Sequence, residues 1–237
     1  MPVFRSIVFS AALAGLIVGV VISIAQFFGT VPLIQQSEVY ERKATPRAGH
    51  DHAAAASDQT KAHSHESEWE PEEGLQRNAF TVGANILTAI GFALLLTGVY
   101  AIRGRQVTWR EGLLWGLAGF VVFTAAPGLG LPPELPGMAV AELTARQTWW
   151  IATTAATAGG LCLLTFRPAA WAAVLGLVLI ALPHLIGAPL APESHSEVPA
   201  TLSHRFIVIV TLTSLLFWAL LGVVTSLAFE RISHPRP

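Results

Sequence analysis

The chain has 237 residues, 53% hydrophobic and 12% charged, with a mean hydropathy of +0.57. A soluble domain carries about 25% charged residues, so the composition excludes one and points to an all-α, polytopic membrane helix bundle, a single integral domain over residues 1–237. The net charge of -1 says nothing about nucleic acid, which is not expected as a partner, and the lone Cys162 excludes an internal disulfide or a thiolate cluster, leaving imidazole and oxygen as metal ligands.

Ile7 to Phe28 is uncharged and long enough to cross roughly 30 Å of hydrocarbon, so it is the first predicted span. Ala11, Gly15, Gly19 and Ser23 recur every four residues and predict a face for close helix packing. Ser23-Ile24-Ala25 resembles a cleavage signal, but the apolar run is long for a signal peptide, and the segment is read as retained.

Residues 39–78 are polar and aperiodic, and read as a His-rich, disordered, solvated loop. The pairs His50-Asp51-His52 and His63-Ser64-His65 suit weak, exchangeable ligation that concentrates a divalent ion without enclosing it.

Ala79 to Ile102 is the second span, with Asn85 and Thr88 one helical turn apart. Asn85 is expected to bond to a neighbouring helix, a pore-facing carbonyl being its other use. Gly112 to Ala126, with Gly112 and Gly116 four apart, is the third span. The prolines from Pro127 onward are expected to stop its helix, and Glu142 and Arg146 have the spacing of an ion pair. Trp149 and Trp150 mark an interface before Ile151 to Phe166, the fourth span. Ala169 to about Leu182 and His204 to Phe229 complete a prediction of about six transmembrane helices.

Arg5, Arg103, Arg105, Arg110, Arg167, Arg231 and Arg236 fall on one side of this topology, and most histidines and acids on the other. The excess of Arg near short loops predicts cytoplasmic N- and C-termini, with Arg42, Lys43 and Arg47 opposing it.

The candidate metal site lies on that second side. Pro183 removes a backbone donor beside His184, and the following loop carries Glu193, His195 and Glu197 before His204. With Glu134 these residues offer mixed nitrogen and oxygen ligation suited to Co²⁺, Ni²⁺, Zn²⁺ or Fe²⁺. The competing reading of His184 and His204 is that they anchor helix ends at the interface. Two other functions are open: a haem-binding electron carrier with His184 and His204 as axial ligands, and a metal sensor or scaffold that does not transport. No phosphate-binding loop occurs, so the chain does not supply ATP hydrolysis, and nothing marks it as an enzyme.

Several segments together resemble one family. They are Phe4 to Phe9 (FRSIVF), the His-bearing loop, Glu70 to Gly74 (EPEEG), Gly112 to Gly119 (GLLWGLAG), Leu131 to Gly137 (LPPELPG), Arg146 to Trp150 (RQTWW), Leu182 to Pro189 (LPHLIGAP) and His204 to Phe206 (HRF). Spread over nearly the whole chain, they resemble the CbtA subunit of predicted bacterial cobalt transporters. The resemblance implies Co²⁺ as the transported ion, with Ni²⁺ as the alternative, and import across the cytoplasmic membrane for cobalamin synthesis. It also implies a small single-span partner, the His-bearing CbtB subunit, and no bound organic cofactor is expected. The first loop is sparse in histidine for this family, and the His-x4-Asp-His motif of other nickel and cobalt permeases is absent.

Overall fold

The computed structural model describes residues 2–44, 74–192 and 198–233. All of its regular structure is helical: α1 (Pro2–Phe28), α2 (Thr30–Ala44), α3 (Leu75–Arg103), α4 (Trp109–Phe120), a π-helical turn (Val121–Ala125), α5 (Ala126–Gly130), α6 (Leu143–Phe166), α7 (Ala170–Ile186) and α8 (Ala200–Ser233). Among the described residues five stretches are long and apolar enough to cross a membrane: Val3–Phe28, Leu75–Arg103, Trp109–Gly130, Leu143–Phe166 and Ala200–Ser233. The remaining apolar helix, α7, has 17 residues and so extends about 25 Å, short of the hydrocarbon thickness.

Lipid removes the ordinary hydrophobic gain between helices, so these pack through close backbone approach. The small-residue face of α1 does lie against α3: Ala11 is fully buried, and a methyl group added at Gly19 would meet the Ile86 backbone at 2.6 Å. Gly112 and Gly116 of α4 face Gly222 and the Trp218 carbonyl of α8 with no space for a side chain. α6 and α7 form a hairpin crossing at Gly160 and Gly176, where an added methyl on Gly176 would stand 2.9 Å from the Gly160 carbonyl. This hairpin joins the remainder through α5 and the π-helical turn, whereas α8 contacts α1, α2, α3 and α4.

The main core lies between α1, α3 and α8, with Ala14, Val18, Ile22, Ala93 and Leu221 buried. Beside it Phe92, Phe123, Phe217 and Trp218 pack as an aromatic group; the Phe92 and Trp218 ring centroids are 4.7 Å apart. Trp218 satisfies its indole donor on Thr124 Oγ1 at 3.2 Å.

The two ends of the bundle differ. At the terminal end, where α1 begins and α8 finishes, α4 starts with a capping box: Thr108 Oγ1 accepts from the Glu111 backbone, and Glu111 accepts from the Thr108 backbone. Glu230 of α8 accepts from the Val107 backbone at 2.6 Å and ties that connection to the bundle. At the opposite, loop end, a second core forms from Leu33 of α2, Leu135 of the connection after α5, Val198, and Phe206 of α8.

Three expectations are corrected. The polar stretch assigned to residues 39–78 is helical at both margins, since α2 runs to Ala44 and α3 starts at Leu75. Leu33, Ser37 and Tyr40 recur at helical spacing; Leu33 and Ser37 are buried, and Tyr40 packs on the second core, so tertiary packing stabilises a helix despite its polar composition. Pro127 does not stop the third span, which continues to Gly130. The preceding π-helical turn, closed by the Ala126 backbone donating to the Val121 carbonyl, widens the helix where the proline ring would meet the preceding turn. Arg146 pairs with Glu134 at 2.8 Å, while Glu142 caps α6 by accepting from Thr144 and Ala145 at 2.8 and 2.7 Å.

Candidate functional site

Where α1 ends and α2, α3 and α8 meet, the loop end opens into a polar cleft of about 560 Å³. Its upper walls carry charge. Glu38 of α2 accepts a 2.6 Å ion pair from Arg77 of α3 and lies 3.9 Å from Arg42. Lower down the charges stop, and Gln26, Thr213 and Ser214 line both the cleft and a smaller pocket of about 170 Å³. Asn85 and Thr88 of α3 complete its polar wall, and Ile22 and Phe217 its apolar one.

The Asn85 amide is oriented by α1. Its Nδ2 donates to Ser23 Oγ at 3.0 Å and to Gln26 Oε1 at 2.8 Å, while Ser23 Oγ donates back to the Gly19 carbonyl at 2.8 Å. With both amide hydrogens used, the carbonyl oxygen of Asn85 is the end left to accept from water or meet a cation. Asn85 thus makes the interhelical bond expected of it while lining the lower pocket. Thr88, Thr213 and Ser214 add neutral hydroxyls, so the lower pocket offers oxygen without imidazole or carboxylate.

The other sequence-selected residues lie elsewhere. His184, half-buried on α7, meets Trp149 of α6 edge-on with ring centroids 5.8 Å apart. Trp149 donates its indole hydrogen to the Pro183 carbonyl at 3.3 Å, so the proline break and its histidine are fastened to α6. His204 is exposed near the start of α8, and Glu134 is held by Arg146. Glu193, His195 and Glu197, and the loop residues His50, Asp51, His52, His63 and His65, lie outside the described residues. Among the described residues no three His, Cys, Asp or Glu side chains form a metal-sized group, so His184, His204 and Glu134 do not make a ligand set on their own.

Sequence reading singled out Asn85, with Thr88 on its face, beside the imidazoles and acids, and passed over Gln26, Thr213 and Ser214. A signal was present in Thr81, Asn85 and Thr88, spaced four and three apart on α3, and in the adjacent Thr213 and Ser214 of α8. Gln26 falls at the end of the first span, where a polar residue is unremarkable.

Residues 4–230 match the family CbtA, described as a probable cobalt transporter subunit. No curated protein and no solved structure matches.

Proposed function

Because the chain belongs to the CbtA family of probable cobalt transporter subunits, we propose that it imports Co²⁺ across the bacterial cytoplasmic membrane through the cleft between α1, α2, α3 and α8. The observation that carries this reading is the descent of one polar wall from the charged rim at Glu38 and Arg77 to Asn85 and Thr213 within membrane-length helices. A polar pocket at that depth is costly unless an ion or water uses it.

In this reading the loop end faces outward and both termini face the cytoplasm, which places Arg5, Arg103, Arg105, Arg110 and Arg231 inside. The described ends of the His-bearing segment support its recruiting role, since Arg42 and Gly74 both line the cleft. Imidazoles tethered there raise the local ion concentration at the entrance. His184 with Glu193, His195, Glu197 and His204 remains the proposed second ligand group at the outer surface, and Glu134, which is paired with Arg146, joins it as a proposed ligand only by giving up that pair. The membrane potential supplies about 2.3 kcal/mol per charge per 100 mV, hence about 4.6 for a divalent cation moving inward, enough to drive accumulation without nucleotide. The small CbtB-like subunit is the proposed partner, cobalamin synthesis the purpose, and Ni²⁺ the competing substrate.

Uptake of radiolabelled cobalt into vesicles holding the purified chain, with an inside-negative potential, tests this function. Accumulation that collapses with the potential is the expected result. No entry above empty vesicles, with or without the small subunit, would overturn it.

A further inference from the structure

The lower pocket stops at Ile22 and Phe217, but the three helices that form it carry a second set of polar groups beyond the core. Ser10 of α1, Tyr100 of α3 and Thr225 of α8 are each at most 1% exposed, and the Ser10 Oγ, Tyr100 hydroxyl and Thr225 Oγ1 atoms have no hydrogen-bond partner. Three buried, unpaired oxygens on the helices of one seam are unfavourable in a finished membrane core and call for a state in which they are wetted. Between the two polar sets lie Ala14, Val18 and Ile22 on α1, Ala89 and Ala93 on α3, and Leu221 on α8, all buried. The seam is therefore polar at the loop side, apolar in the middle and polar again toward the terminal end.

We propose that this seam is the ion route, caught open toward the loop end, with the pocket at Asn85, Thr88, Thr213 and Ser214 receiving the divalent cation still hydrated and Ile22 and Phe217 closing the way below. This deepens the import reading and rests on it. The chemistry of the lining determines the hydrated form. Amide and hydroxyl oxygens without a carboxylate or imidazole do not replace the inner water shell of a small divalent ion, whereas they accept hydrogen bonds from its coordinated waters. The Asn85 carbonyl, fixed by the donors it spends on Ser23 and Gln26, is the best-oriented acceptor. A pocket that reads the outer surface of a hydrated ion responds to charge and size and discriminates little between Co²⁺ and Mg²⁺. Choice between metals then falls to inner-sphere ligands elsewhere. Onward movement requires α8 or α1 to shift so that Phe217 and Ile22 part, joining the Asn85 pocket to Ser10, Tyr100 and Thr225.

Cysteine labelling tests the route without relying on cobalt transport. In a Cys162→Ser background, Thr213→Cys, Ser214→Cys and Thr225→Cys are placed singly in lipid nanodiscs, where both faces meet water, and treated with a membrane-impermeant thiol reagent. Thr213→Cys and Ser214→Cys are expected to react and Thr225→Cys to resist. Co²⁺ and Mg²⁺ at ten times their dissociation constants are each expected to slow Thr213→Cys by about tenfold through occupancy. Failure of both Thr213→Cys and Ser214→Cys to label, or labelling unaffected by either ion, would overturn the pocket. Protection by Co²⁺ alone would overturn the hydrated form, and rapid labelling of Thr225→Cys would overturn the closed seam. If protection occurs while wild-type vesicles take up no cobalt, the pocket stands and the import reading falls.

Discussion

Arg146 in the first turn of α6 reaches Glu134 at 2.8 Å, bridging the helix to the proline-rich connection that follows α5. Both side chains are mostly covered, 29% and 19% exposed, so this pair is better shielded than a surface ion pair. It fastens the connection whose Leu135 belongs to the loop-end core, and whose Gly137, at φ 80, lies so near Glu41 of α2 that an added methyl would stand 3.2 Å away. A double-mutant cycle on Glu134→Ala and Arg146→Ala, read by thermal unfolding in detergent, is expected to give a coupling of about 1–3 kcal/mol. Additive losses would show that water screens the pair and that the connection is held by its apolar contacts alone.

The glycines divide into two groups with opposite expected responses. Alanine at Gly222 meets the Gly112 carbonyl and the Gly116 backbone, so α4 and α8 must separate, at a cost of about 1–3 kcal/mol. At Gly98, within α3, nothing stands within 4 Å of the added methyl, and alanine gains up to about 1 kcal/mol of helix propensity. Unfolding of the two variants in one detergent checks the contrast. Equal shifts would mean that the α4–α8 crossing does not depend on backbone contact.

Much of this architecture was legible in the sequence, because uncharged length and small-residue spacing follow directly from the requirements of lipid. The α1 face at Ala11, Gly15, Gly19 and Ser23 and the α4 pair Gly112 and Gly116 pack as their spacing implied. Helix α2 was hidden because its stabilising partners, Leu135, Val198 and Phe206, are remote in sequence. The continuation through Pro127 was hidden too, since local rules describe a regular helix and a π-helical turn is a response to packing. Of the polar cleft only Asn85 was marked, and the rest escaped for a chemical reason: Gln26, Thr213 and Ser214 are each ordinary helix-packing residues, and only their convergence with Asn85 makes a pocket. Arg146 had two acids at hand, and spacing alone favoured Glu142, whose carboxylate is instead committed to backbone donors.

That commitment gives Glu142 a pH signature. Hydrogen bonds from the backbone of Thr144, and then that of Ala145, hold its carboxyl below the ordinary glutamate range. A depressed folded value means that the cap stabilises α6 above the unfolded pKa and loses this contribution as pH falls through the folded one. Glu142→Gln removes the charge that titrates, so its α6 start should fray to the same extent across the acid range. Amide exchange at Thr144 and Ala145 checks this: wild type should lose protection on acidification, and the variant should show no corresponding step. A matching step in the variant would assign the acid response to another group.

Asn85 separates passage from packing. Asn85→Ala deletes both the donors to Ser23 and Gln26 and the free carbonyl, so reduced uptake in that variant alone would not distinguish a loosened α1–α3 contact from a lost ion contact. Asn85→Asp gives up the same two donors but keeps the size and adds a negative charge, so its effect on ion affinity has a sign that packing loss does not share. In a membrane pocket of low dielectric, a carboxylate binds a divalent cation more tightly and releases it more slowly than an amide does. Cobalt uptake by Asn85→Asp is therefore expected to show a lower KM together with a lower maximal rate, each by about tenfold or more if the added attraction reaches 1.4 kcal/mol. Packing damage would leave KM unchanged while reducing the rate through loss of folded protein, which quantifying the protein in the membrane detects. A variant with wild-type KM and wild-type rate per folded molecule would remove Asn85 from the ion's path.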